Sequence, residues 1–214
     1  MQSRTIPTTT HGRYLVEIPE HSRSTLVGFH EYQGNALSHL EVLRQIAGAR
    51  PVGLVSIQAL NRFYNRAHYA VIASWMTRED RELAIADNIA YVGAVLAAVA
   101  EEFGLPRPLI YAGFSQGVAM AYRAAAFVQR PCDGIIALAG DVAPDVAPLA
   151  AGLPPILLGR GSNDKLYSAD QFEKDLQVLR DTGARATPHP FEGDHAWSPE
   201  FITRAGQFLD ELSS

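Results

Sequence analysis

One cysteine in 214 residues excludes an internal disulfide, and Cys132 stands just before an apolar run, where it serves as a small buried hydrophobe. A lone thiol suggests a reducing compartment. Cationic clustering is also missing. The 18 Lys and Arg are scattered and outnumbered by 23 Asp and Glu, for a net charge of -5, so nucleic acid and anionic membrane surfaces are not expected partners. The longest apolar run, Ile89 to Ala100, is too short to span a bilayer, and Met1 to Thr8 lack the apolar core of a signal peptide. These absences predict a cytoplasmic protein without stable membrane association. No group of His, Cys, Asp and Glu has ligand spacing, so no metal and no other cofactor is expected. Internal repeats, low-complexity tracts and linkers are lacking too. With 47% hydrophobic residues, the chain fits one domain over residues 1–214 that can bury a continuous core.

What the chain does contain centres on Ile110-Tyr111-Ala112-Gly113-Phe114-Ser115-Gln116-Gly117-Val118-Ala119-Met120. It reads as a strand, a sharp turn and a small-residue helix, with Ser115 at the apex. A turn that tight strains the serine backbone and presses its neighbours against the adjoining strand and helix, so glycine is wanted at both flanks. The serine oxygen is pushed outward, and the helix start aims free N–H groups and the positive end of a dipole at whatever negative charge develops there. That suits acyl transfer, in which a carbonyl oxygen becomes an oxyanion. Taken alone, Gly-x-Ser-x-Gly could equally be a tight βα connection.

Along the rest of the chain, strands alternate with helices. Residues 13–18 and 25–29 read as strands joined by a polar turn, and Asn35 is placed to cap a helix carrying Leu37, Leu40, Leu43 and Ile46 as far as Gly48. Residues 51–57 give a strand. Residues 58–79 show no period, hold Phe63, Tyr64, His68, Tyr69 and Trp75, and read as a long excursion near the site. A helix is expected from Thr77, with Asp80 as a capping box, to about Phe103, carrying Leu83, Ile85, Ile89, Val92, Val95, Leu96 and Val99 along one side. Beyond the serine, residues 135–139, 155–159 and 186–191 read as strands, 140–154 as a proline-rich loop, and helices open at Ser168 with Gln171 and at Ser198 with Pro199. The alternation implies an α/β fold, a mostly parallel central sheet with helices on both faces, without room for a large cap.

In such a sheet, functional residues gather outside the carboxyl ends of the strands. Ser115, Asp164 and His195 all occupy such ends. A serine hydroxyl needs an imidazole to take its proton and a carboxylate to fix that imidazole's tautomer, and the order nucleophile, acid, histidine is that of the α/β-hydrolases. Asp141, at the end of the preceding strand, is the competing acid. Asp194 adjoins His195 too closely to reach round to its ring, and His189, inside the last strand, reads as structural. The backbone N–H of Gln116 is the expected oxyanion donor, with a second from the loop after Phe29, assigned to Tyr32. Phe63, Tyr64, Trp75 and Tyr167 are candidate walls of a substrate pocket.

Together, the Gly-Phe-Ser-Gln-Gly elbow, the histidine-bearing loop after an early strand, Gly161-x-x-Asp164 and Gly193-x-His195 resemble the phospholipase/carboxylesterase group of α/β-hydrolases, which includes the acyl-protein thioesterases. The resemblance runs from about residue 25 to the carboxyl end. It implies a metal-independent serine esterase acting through an acyl-enzyme, with Ser115, Asp164 and His195 as triad. One departure stands out: that group's early loop reads His-Gly-x-Gly, whereas His30 is followed here by Glu31, so Glu31 joins the candidate substrate-binding residues. The leading reading is a carboxylesterase for small to medium esters, a monomer or homodimer whose partner is a small-molecule ester. An acyl-protein thioesterase or lysophospholipase is the alternative within the class, and a non-catalytic binding protein on a hydrolase fold the alternative outside it.

Overall fold

The structure, a computed structural model, describes residues 1–67 and 69–213. Along them run β1 (Arg13–Glu17), β2 (Ser24–Phe29), α1 (Ala36–Ala47), β3 (Val52–Gln58), β4 (Asn61–Tyr64), β5 (Val71–Ser74), α2 (Arg81–Glu102), β6 (Leu109–Phe114), α3 (Gln116–Phe127), β7 (Gly134–Leu138), β8 (Ile156–Gly161), α4 (Ala169–Asp181), β9 (Ala186–Phe191) and α5 (Pro199–Ser213). A 3-10 turn at Ala147–Gly152 is the helical content of the proline-rich loop.

Seven strands make one sheet in the order β1-β3-β2-β6-β7-β8-β9. Every pair is parallel except β1 with β3. The two early strands are therefore not partners, because β3 inserts between them. Strands β2, β3, β6 and β7 are buried along their whole length, as the central strands of a parallel sheet are when helices cover both faces. The order of strands reverses at β2: β2 to β3 steps one way, β6 through β9 the other. Right-handed crossovers then put α1 and α3 on opposite faces, where α1 packs with α5 and α2 with α3. The carboxyl ends of β2 and β6 are thus the topological switch point, at which open α/β sheets bind ligands.

Local chemistry accounts for most helix ends. Asn35 Oδ1 accepts from Ser38 N–H at 2.9 Å, and the Ser168–Gln171 box closes in the same way. The expected box at Thr77 does not form. Asp80 sits in the left-handed region (φ 46°) with no side-chain cap, and α2 starts at Arg81. The buried side of α2 is Asn88, Val92, Val95, Leu96 and Val99, while Leu83 is exposed. Leu37 is exposed as well: the buried face of α1 is Ala36, His39, Leu40, Leu43, Ile46 and Ala47, and at 100° per residue Leu37 lies roughly 120° from its centre. By length and composition α2 could cross a bilayer, but its inner residues belong to the core. Within the aperiodic stretch, β4 and β5 form a separate antiparallel hairpin; His68 lies outside the described residues.

Candidate active site

Ser115 follows β6 at φ 51°, ψ -119°, a strained conformation for a residue with a side chain, and its N–H donates to the Leu138 carbonyl at 2.9 Å. Close packing explains the flanking glycines. A Cβ on Gly113 would stand 2.5 Å from the Gly117 carbonyl oxygen, and one on Gly117 would stand 1.9 Å from the Phe29 carbonyl oxygen. The end of β2 thus lies directly against the elbow, and Phe29 leads into the loop His30 to Gly34.

That loop is built on a fully buried histidine. His30 Nδ1 donates to the Glu31 carbonyl (2.6 Å) and Nε2 accepts from the Ala59 N–H (3.0 Å), so the partners themselves assign the neutral tautomer. Burial holds its pKa down at about 4, only partly offset by the Glu31 carbonyl. The Trp75 indole N–H donates to the His30 carbonyl (2.8 Å). Gln33 N–H donates to the Ala73 carbonyl (3.0 Å), and Ala73 N–H returns a bond to the Gly34 carbonyl (2.9 Å). Gly34 N–H closes the turn on Glu31 (3.1 Å). Within this turn the Tyr32 N–H has no acceptor among the described residues, and neither has the N–H of Gln116 at the head of α3. The Gln116 side chain reaches across to the same strand end: Oε1 accepts from Trp75 N–H (2.8 Å), and Nε2 donates to the Met76 carbonyl (3.0 Å). It ties the elbow to β5.

On the other side, the loops after β8 and β9 bring an acid and a histidine together. Asp164, buried, accepts from His195 Nδ1 at 2.8 Å through Oδ2, and from the N–H groups of Leu166 (2.8 Å) and Tyr167 (2.9 Å) through Oδ1. Arg160 braces that loop by donating to the carbonyls of Tyr167 (2.9 Å) and Asp164 (3.3 Å). Asn163 N–H donates to the Gly193 carbonyl (2.8 Å), joining the two loops directly. The His195 ring lies on Phe114, the residue before the serine, with centroids 4.9 Å apart. Its Nδ1–H is engaged by Asp164, which leaves Nε2 as the lone-pair nitrogen. Ser115, Gln116 and His195 open on one cleft of about 250 Å³. Such an arrangement can activate a hydroxyl and stabilise an oxyanion.

A family model for phospholipase/carboxylesterase proteins matches residues 61–213. The chain belongs to that family. No curated protein matches it. Among solved structures, esterase PE8 is 26% identical, with a TM-score of 0.73 over 94% of this chain and 98% of its own. Acyl-protein thioesterase 2 of Zea mays (17% identity, TM-score 0.74, 95% and 100% covered) and the Bacillus cereus carboxylesterase (17%, 0.72, 94% and 94%) share the fold. This is the α/β-hydrolase fold, and membership makes the protein a hydrolase of the phospholipase/carboxylesterase class.

In this family member the expected pocket walls are only partly in place. Tyr167 lines the cleft, its hydroxyl donating to Asp175 (2.7 Å), whose carboxyl burial pushes up to about 6. Trp75 does not: it is fully buried and works as a rivet, its carbonyl also accepting from buried Asn88 (2.6 Å). Phe63 and Tyr64 stand on the exposed strand β4, with Phe63 against the Tyr32 ring at 6.0 Å. Glu31 turns neither into the cleft nor fully outward. It folds over Gly34, where an added Cβ would come 2.6 Å from its carboxyl carbon, and burial raises its pKa. The cleft is lined instead by Met76, Ala119, Ala139, Leu166, Asp141 and two residues that sequence reasoning missed, Arg81 and Arg123. The signal for Arg123 was available: it follows Ser115 and Ala119 at four-residue spacing on an otherwise small and apolar helix. Among the described residues no group of three or more His, Cys, Asp or Glu side chains could hold a metal ion.

Proposed function

We propose that the protein is a serine carboxylesterase for small to medium carboxylic esters, with Ser115 as nucleophile, His195 as base and Asp164 as the carboxylate that orients it. The observation that carries this reading is the opening of Ser115 and the Asp164-bound His195 on one cleft that Gln116, with its unpaired N–H, also lines. Ser115 Oγ attacks the ester carbonyl while its proton passes to His195 Nε2. The oxyanion takes the N–H groups of Gln116 and Tyr32, and the alcohol leaves with the proton from His195, so an acyl-enzyme remains. Water then repeats the route, its proton going to His195 and thence to the Ser115 oxygen as the acid departs. A cleft of about 250 Å³ favours a short acyl group over the long channel of a lipase.

The test is hydrolysis of a chain-length series of p-nitrophenyl esters by wild type and Ser115→Ala. Turnover best at short chains and lost at least about 10³-fold in the variant is expected. A folded wild type that neither turns over these esters nor reacts with a fluorophosphonate probe would move the assignment to a binding protein on this fold.

A further inference from the structure

The floor of the cleft carries charge that the hydrolytic steps leave unused. Ser115, Ala119 and Arg123 lie on one face of α3 and all line the cleft. Arg123 is completely buried. Its Nε and Nη2 donate to the two oxygens of Asp145 at 2.8 and 2.7 Å, whereas Nη1 has only the Met76 thioether, at 3.8 Å. Sulfur is a weak acceptor, so a buried guanidinium edge is left short of oxygen beside a cavity. Arg81, the first residue of α2, lines the same cleft from its exposed side; it has no carboxylate within ion-pair distance among the described residues, although its charge reaches Asp145. A cation in a helix's first turn opposes the helix dipole, so helix stability does not account for it. Eight residues of helix separate Ser115 from Arg123 by about 12 Å, and long side chains on a helix lean back toward its start, which carries the guanidinium toward the serine. Between them Ala119 keeps the strip open.

We propose that this strip is a subsite for a carboxylate, and that the preferred esters have an acyl chain ending in one, roughly two to four carbons from the scissile carbonyl. The inference rests on the serine-esterase reading. Arg81, the accessible guanidinium, donates to the substrate carboxylate, whose planar pair of oxygens suits guanidinium donors, and Arg123 beneath the cleft wall adds its positive charge. Asp141 and Asp145 balance the two arginines in formal charge, but Asp145 gives both oxygens to Arg123 and feels Arg81 only as a more distant charge, and Asp141 is exposed at the rim, so Arg81 keeps its donors free for a ligand. A plain alkyl chain in the same place takes water from Arg81 and offers it no acceptor, at a cost.

The experiment compares monoethyl succinate, glutarate and adipate with ethyl butyrate, valerate and hexanoate, following released ethanol. Wild type is expected to favour the charged member of one pair by at least about tenfold in kcat/KM, with a preference that falls as salt is added. Arg81→Gln is expected to cut the charged-to-neutral ratio about tenfold and Asp141→Asn to raise it. Neutral esters turned over as well as the charged ones at every length would overturn the subsite and leave the esterase reading standing. So would a ratio unmoved by both substitutions. Failure of both series, with no fluorophosphonate labelling of the folded protein, would remove the esterase reading beneath it.

Discussion

Adding one methyl group at Gly161 should disable the site without touching a reacting residue. Gly161 closes β8, and its φ lies outside the left-handed region, so alanine there meets no backbone penalty. The obstacle is contact: a Cβ would stand 2.4 Å from the carbonyl oxygens of both Gly193 and Asp194, where ordinary packing begins at 3.4 Å. These are backbone atoms and cannot swing aside, so the loop carrying His195 must retreat by about 1 Å. Retreat also stretches the 2.8 Å bond from Asn163 N–H to Gly193 that joins the acid loop to the histidine loop. Misplacement of this size costs on the order of 10²-fold in rate, and overpacking about 1–3 kcal/mol in stability. The assay is kcat/KM on p-nitrophenyl butyrate together with the rate of fluorophosphonate labelling, which reads the activated serine independently of substrate fit. Gly152→Ala, where an added Cβ meets nothing within 4 Å, is the control and should match wild type. A Gly161→Ala protein within about threefold of wild type in both measures would refute the claim that this contact sets the histidine's position.

Two further outcomes follow from the geometry. Gln116→Ala removes the side chain that pins the elbow to Trp75 and Met76, and should lower kcat/KM about tenfold or more while costing about 1–3 kcal/mol in urea unfolding; full activity would show that the elbow holds its shape alone. His39 is buried, neither ring nitrogen has a hydrogen bond of good geometry, and burial lowers its pKa to about 3, with a weak contact to the Ala112 backbone opposing only in part. Because the folded value lies below the unfolded one of about 6.5, only the unfolded chain takes the proton in that interval, and stability is lost as pH falls from about 6.5 toward 3. His39→Leu should therefore be neutral or stabilising at pH 7 and should gain about 3 kcal/mol on wild type by pH 4. Comparing the two proteins cancels the opposite contributions of Asp175 and Glu31, whose raised values favour the folded state as pH falls. A gap that does not change with pH would refute this account.

The parallel sheet, the elbow and the acid–histidine pairing were legible because each rests on local pattern: unbroken apolar runs, glycines around a serine, polar loops just past strand ends. Other features had no local trace. The hairpin of β4 and β5 was missed because β4 is exposed on every residue, so no alternation marks it. Insertion of β3 between β1 and β2 is a matter of pairing, which adjacency in sequence misstates. Trp75 looked like a pocket wall since aromatic residues near a site often are. Its burial depends on Asn88, His30 and Gln116, which come from α2, the β2 loop and α3. Arg123 is buried only because Asp145, 22 residues on, neutralises it.

Residues 73 to 76 bond the Gln33–Gly34 backbone at one end and the Gln116 side chain at the other, while the Trp75 indole holds His30 between. The two unpaired N–H groups are thus mounted on a common ruler. If that short segment shifts with thermal motion, both travel with it and the gap between them is conserved, so breathing of the sheet displaces the pair without spreading it. The far end of the hairpin, at Tyr64 and Val71, lies beyond the ruler's end, and loops of other lengths can be joined there with the gap left at its present width.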